Sequence, residues 1–263
     1  MTEREPGVII SVAVACHVLI RKACDDSACR LPESNVFQAR GAGCTTMWDW
    51  LPKFRSKTER KVTARWLTPS QNPWGLVVLD CSYIAHTAMS FTPSREIAYK
   101  YAELRSSTGM ELRNEIFNPT SSTVCNLTYK VDKRPQDGPV FKSRVMEERW
   151  DIYCYDDRLY FCRSWGGELF YRATIKCDLA TLSVLNVETG PRSKGDIAVR
   201  DVDFLVKSHL MLAKALHPLP PAMGKDIQKL ALWSHSAYGR MGLYGTMEET
   251  IGTPYFWEKH RSS

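Results

Sequence analysis

The sequence predicts an α+β fold: an antiparallel sheet containing a three- to five-stranded meander, with helices packed on one face. Three observations carry that prediction. First, Asp156-Asp157 and Gly166-Gly167 are turn dipeptides that separate aromatic and β-branched runs between Trp150 and Ile175. Second, Asp201 onward places Val202, Leu205, Val206, His209, Leu212, Ala213 and Leu216 on one helical stripe. Third, the order is strand, helix, four or five antiparallel strands, then helices, which is unlike the regular alternation of a parallel α/β sheet.

The elements follow in order. Residues 75–82 (GLVVLDCS) form a short apolar run bounded by turn residues, after the turn at Asn72-Pro73, and predict a buried strand. A helix is predicted with Thr92 as N-cap, Pro93 at its first position and Glu96 in its first turn. It is expected to bury Ile97, Ala98, Tyr101 and Leu104 and to stop at Ser106-Ser107-Thr108-Gly109. From Thr123 to Val131, Cys125, Leu127, Tyr129 and Val131 alternate with Val124, Asn126, Thr128 and Lys130, so one face is apolar. Residues 133–139 predict a loop. The meander follows, with Thr181 to Val187 adding a strand. A two-residue Gly166-Gly167 turn sets Trp165 opposite Glu168 and Arg163 opposite Phe170. The Asp201 helix is expected to end at His217-Pro218, since proline cannot continue the hydrogen-bond ladder. Asp226 to Trp233 predicts a further helix, and Gly239, Gly242 and Gly245 break the pattern after it.

Composition sets the outer limits. The chain has 263 residues, 44% hydrophobic and 24% charged, enough apolar mass for a core and too much for a disordered chain. No stretch reaches the ~18 apolar residues a spanning helix needs. We expect residues 66–263 to form a single domain, 47–65 a basic and aromatic linker, and 1–46 a poorly structured or non-native extension ahead of Met47. The apolar run Val8–Ile20 has acidic residues before it and Arg21-Lys22 after it, the wrong flanks for a secretory signal. The nine cysteines are odd in number and irregular in spacing, with no CxxC pair. That pattern is neither a disulfide framework nor a zinc site, and Cys81, Cys125, Cys154, Cys162 and Cys177, in apolar strand-like runs, read as reduced, buried residues in a cytoplasmic protein.

Charge is concentrated. Of the net +6, residues 51–65 carry +5, from Lys53, Arg55, Lys57, Arg60, Lys61 and Arg65 against Glu59. Such a run is usually a solvated segment; its functional use is contact with phosphates or an anionic membrane. The sequence argues against both nucleic acid and membrane as main partners, because the rest of the chain is almost neutral.

Catalytic signals are weak. There is no GxSxG elbow, and the spacing Gly239-Arg240-Met241-Gly242 is not that of a phosphate loop. Asp156 and Asp157 suit a turn. The strongest feature is aromatic: Trp150, Tyr153, Tyr155, Tyr160, Phe161, Trp165, Phe170 and Tyr171 occur within 22 residues. Successive strand residues face opposite ways, so both faces of the meander carry rings. Whichever face is open, its share of Trp150, Tyr153, Tyr155, Arg163 and Trp165 offers the aromatic–arginine surface that protein interfaces favour. The sequence therefore points to a non-catalytic domain that binds another protein, with no cofactor or metal. One alternative is a binding domain or enzyme for a small anionic molecule, with a cleft built from Arg163, Arg172 or Arg240 with His209 or His217; another is peripheral membrane or nucleic-acid association through the basic segment 51–65.

Overall fold

The computed structural model describes residues 63–115, 117–191 and 195–257. The segment 1–46, most of the linker, and with it Lys53, Arg55, Lys57, Arg60 and Lys61, lie outside the described residues. The fold is α+β, as the sequence predicts.

The larger sheet has six antiparallel strands in the order β3-β8-β7-β6-β5-β4. They are β3 (Ser121–Lys130), β4 (Gly138–Phe141), β5 (Trp150–Tyr155), β6 (Arg158–Arg163), β7 (Leu169–Cys177) and β8 (Thr181–Thr189). Cross-strand pairs set its register: Ile152 opposite Phe161, Phe161 opposite Tyr171, Ala173 opposite Val187 and Tyr129 opposite Leu182. The β5–β6 turn has two residues, Asp156 and Asp157, at φ 50° and 55°. Both positive φ values match the turn type that suits hairpin twist. Arg113 donates twice to Asp156, at 2.8 and 2.7 Å, and Arg134 donates to Asp157 at 2.6 Å.

Two expectations within this sheet need correction. The turn at Gly166-Gly167 spans four residues, because Arg163 N–H donates to Glu168 O and a bulge shifts the register between Phe161 and Cys162. Thus Arg163, and not Trp165, lies opposite Glu168. The 133–139 loop ends in a strand, β4, hidden by its Gly-Pro start.

The smaller sheet assembles strands distant in sequence, in the order β1-β2-β10-β9. These are β1 (Arg65–Leu67), β2 (Val78–Asp80), β9 (Leu216–Pro218) and β10 (Tyr244–Thr246), three residues each. β9 and β10 are parallel, and the other pairs are antiparallel.

Four α-helices occur among the described residues. α1 (Ser82–Thr87) follows β2 directly, and α2 (Arg95–Ser106) begins at an N-cap Ser94, whose hydroxyl accepts from Ile97 N–H. The cap is two residues later than Thr92, and the helix does not bury the expected stripe. Only Leu104 is buried, while Ile97 is 40% exposed. What holds α2 is polar: Arg105 donates to Asp151 at 3.1 and 2.6 Å, and Lys142 donates to the Leu104 carbonyl at 2.6 Å.

α3 (Gly195–Leu205) runs into a π-helical turn at Val206–Leu210 and stops there. The expected stripe holds through His209. It fails at Leu212, which sits at φ 52° and is 66% exposed, and Leu216 begins β9 instead. α4 (Ile227–Tyr238) is capped by Asp226, which accepts from Lys229 N–H at 3.1 Å.

The main core lies between one face of the larger sheet and α3 with α4. Ile152, Leu159, Phe161, Ala173 and Val187 meet Ala198, Val202 and Leu205 there, all fully buried. Fully burying one such side chain contributes about 1.5–3 kcal/mol.

Candidate functional site

The predicted site residues do not converge. Trp150 is buried, its indole N–H donating to Ala237 O at 2.9 Å. Arg163 donates to the same carbonyl at 2.6 Å and lies over the Trp150 ring at 4.6 Å. Both side chains therefore close the C-terminal end of α4, whose last carbonyls lack helical partners. Burial lowers the Arg163 pKa. Its predicted aromatic partner is real, since the guanidinium is 5.3 Å from the Phe170 ring.

The second face of the meander is covered, so it is not the open surface the sequence expectation required. Tyr153, Tyr155, Tyr160 and Cys162 pack with Leu112. Tyr155 Oη donates to Thr108 O at 2.8 Å, and Lys142 donates to Tyr153 Oη at 2.7 Å. Gly109, at φ 75°, lies directly on the Tyr153 ring where a Cβ has no room. Trp165 is half-buried, donating to Met146 O at 2.8 Å beneath the Arg149 guanidinium at 4.6 Å. Farther along that face, Arg172 donates to Glu188 at 2.5 Å and lies over Phe117. Arg240 is exposed just after α4.

The histidines are interior. His209 and His217 are fully buried, and burial pushes their pKa values down to about 3 and about 4. Ser208 Oγ donates to Phe204 O at 2.7 Å, so its 2.8 Å contact with His209 Nδ1 takes its hydrogen from the ring. His209 Nε2 is then a bare lone pair in an aromatic pocket, edge-on to Phe141 and Phe204. His217 Nε2 meets Ser234 Oγ at 2.8 Å. Cys81 also neighbours Ser234, but burial raises its thiol to about 12, far from a reactive thiolate. Asp201 is an interior carboxylate accepting from Tyr171 and Tyr238, each at 2.6 Å, and burial raises its pKa. These groups hold elements together.

A surface cleft lies on the smaller sheet. It encloses about 330 Å³ and is lined by Arg65, Trp74, Asp80, Lys214, Tyr244 and Phe256, among others. Local chemistry explains how each aromatic ring reaches it. Asn72 donates to Thr68 O and Leu76 O at 2.8 Å and accepts from Trp74 N–H, folding the 68–76 loop around one side chain. That loop carries Trp74, whose indole N–H donates to Pro254 O at 2.8 Å. Lys214 and Phe256 exchange both backbone hydrogen bonds, at 2.7 and 3.0 Å, which fixes Phe256 on the opposite wall. Tyr244 comes from β10, opposite Asp80 of β2. Trp74 lies 5.1 Å from Tyr244 and 5.7 Å from Phe256, centroid to centroid.

The cleft's charges are Arg65, Lys214 and Asp80. Asp80 Oδ1 accepts from Ser82 N–H and Oγ, and its Oδ2 lies 3.9 Å from Arg65 Nε. The Arg65 side chain is 77% exposed, so that ion pair is weak and the guanidinium can turn to another partner.

Compared with known proteins, the chain matches no family model, no curated protein and no solved structure. The site therefore rests on geometry. Among the described residues no group of three or more His, Cys, Asp or Glu side chains is placed to hold a metal ion, and no helix is long and apolar enough to cross a membrane.

Sequence reasoning missed Trp74, Lys214, Tyr244 and Phe256, and placed Arg65 only in a charged run. A signal existed for Trp74, an aromatic residue inside the Asn72-Pro73-Trp74-Gly75 turn and outside every predicted strand and helix, which in the structure packs against Leu67, Val78 and Leu216. No local signal joins it to residues some 170 positions later.

Proposed function

We propose that this domain binds, without transforming it, a flat aromatic molecule bearing an anionic group, and that the cleft on the smaller sheet is the site. The observation that carries this reading is the convergence of Trp74, Tyr244 and Phe256 beside Arg65 and Lys214 in one cleft of about 330 Å³. Its volume is at the small end of ligand sites, and an aromatic lining with a few placed polar groups is their usual composition. Ring faces attract a planar ligand. An exposed arginine offers a planar fork to a carboxylate or phosphate. The buried histidines support binding over chemistry, since His209 and His217 are fully buried and neither lines the cleft. This is the small-ligand alternative of the sequence reading, moved to different residues. A cytoplasmic setting belongs to the same proposal and is supported by the described cysteines, which are all free thiols.

The test is titration with phenyl phosphate and benzoate, followed by tryptophan fluorescence, with benzyl alcohol as the neutral control. Both anions should bind more tightly than the alcohol. Trp74→Ala should weaken phenyl phosphate by about tenfold or more, from the lost stacking. Arg65→Gln should remove the preference for charge. Equal binding of the alcohol and the anions, or a Trp74→Ala protein that binds as well as the parent, overturns the proposal.

A further inference from the structure

A second polar cluster lies where the α1–α2 connection, the segment before β5 and α4 meet. Its centre is Ser90. Arg149 Nη2 donates to Ser90 Oγ at 2.8 Å, and His235 Nε2 lies 3.3 Å from the same oxygen. Ser90 N–H donates to Glu147 Oε1 at 2.8 Å. Arg149 is held in place: Nε donates to His235 O, Nη1 donates to Met146 O, and the guanidinium lies over the Trp165 ring.

The hydrogens can be assigned by counting donors. Ser90 Oγ has one hydrogen and two lone pairs, and Arg149 can only donate, so it occupies one lone pair. His235 is 1% exposed, and its Nδ1 is buried with no hydrogen-bond partner. If Nδ1 carried the ring proton, a buried N–H would have no acceptor, which is the rarer kind of orphan in native proteins. The structure favours the other tautomer, in which Nε2–H donates to Ser90 Oγ and Nδ1 is a bare lone pair. Burial and the nearby Arg149 charge keep the ring neutral at pH 7, with a pKa of about 4.

In that tautomer both Ser90 lone pairs are filled, and its hydroxyl hydrogen has no acceptor among the described residues. Ser90 is half-buried, and its hydroxyl hydrogen can rotate to meet an incoming acceptor. Two donors, one of them cationic, polarise the hydroxyl and strengthen it as a donor. Arg240 belongs to the same neighbourhood: its backbone N–H donates to Glu147 O at 3.0 Å, its charge acts on His235, and its side chain is exposed. Arg149 and Arg240 both bring positive charge to the cluster, which suits an anion.

From this we infer a carboxylate-binding site at Ser90, distinct in its residues from the aromatic cleft, in which the Ser90 hydroxyl donates to one carboxylate oxygen and Arg240 pairs with the charge. The hydroxyl acts as a hydrogen-bond donor and not as a nucleophile, because His235 donates to it and takes no proton from it.

Two measurements test the inference on the intact chain. Long-range proton–nitrogen NMR at pH 7 reads the His235 tautomer directly; the inference requires the proton on Nε2. Acetate titration, with acetamide as neutral control, reads binding through the Trp165 indole and Arg149 Nε signals. Acetate should shift both, acetamide neither, and Ser90→Ala should weaken acetate by about ten- to a hundredfold, the loss of one hydrogen bond to a charged group. A proton on Nδ1, or unchanged acetate binding in Ser90→Ala, overturns it, and the tautomer decides the matter even if that variant folds poorly.

Discussion

The two sheets are built in opposite ways. The larger sheet is continuous in sequence: β3 to β8 span residues 121–189, and each strand from β4 onward pairs with the next. Its interior rings are matched to local partners, as when Trp150 and Arg163 close α4. The smaller sheet joins residues 65–67 and 78–80 to 216–218 and 244–246, in strands of three residues. So few ladder bonds do not hold such strands alone, and the packing of Leu79, Leu219, Leu230 and Ala231 beneath them does much of the work. The difference teaches where a site forms. A sheet that satisfies its own side chains leaves little surface to offer, whereas loops gathered onto short strands leave Trp74, Tyr244 and Arg65 partly exposed.

The largest expected effect is on stability in acid. His209, His217 and His235 are held neutral, with pKa values of about 3, about 4 and about 4 against 6.5 when unfolded. The unfolded chain therefore binds more protons between pH 6.5 and 4, and stability falls as pH falls through that window. Each proton contributes about 1.4 kcal/mol per pH unit. Asp201 and Asp203 act oppositely: burial raises their pKa values, so the stability they confer when protonated is lost as pH rises. Three histidines outweigh two carboxylates above pH 5, and urea midpoints should drop steeply from pH 7 to pH 5. A midpoint constant over that range contradicts the assignment of His209, His217 and His235 as neutral buried rings.

Next comes Asp151→Ala in the larger sheet. It strips Arg105 and Lys142 of a carboxylate that is 1% exposed, and removing one partner of a buried pair costs about 3–5 kcal/mol. Denaturant unfolding should show that loss and the release of α2. Gly245→Ala perturbs the smaller sheet, where a Cβ meets the His217 ring and Leu219. Overpacking there should cost about 1–3 kcal/mol, and should weaken phenyl phosphate through the neighbouring Tyr244. If ligand binding survives while stability falls, the cleft does not depend on that strand. The smallest effect is expected for Asp157→Gly. It relieves a positive φ and loses an exposed ion pair to Arg134, two effects below about 1 kcal/mol that oppose each other. Thermal melting should shift by no more than a few degrees.

The same contrast explains what could be read from the sequence. The meander was legible because its signals are local: the Asp156-Asp157 turn and the alternation that buries Leu127 and Tyr129 while leaving Val124 86% exposed. The Gly166-Gly167 turn was misjudged by two residues because a bulge, set by packing across the sheet, carries no sequence mark. The Ile97 stripe misled because α2 is held by Arg105 and Lys142 reaching to Asp151, contacts that helical periodicity does not encode. Leu212 misled because a π turn ends α3 early. The cleft was illegible for a topological reason: Trp74 and Phe256 are neighbours only once β1, β2 and β10 have paired.

We propose that the smaller sheet carries the binding site and that the larger sheet is its scaffold. Amide and indole chemical-shift mapping of the whole chain with phenyl phosphate tests it most directly. The account predicts shifts at the Trp74 indole, Tyr244, Phe256 and Arg65, with the Trp150 indole and the β5–β7 amides unmoved. Shifts confined to the larger sheet, or saturation with no change at Trp74, would contradict it.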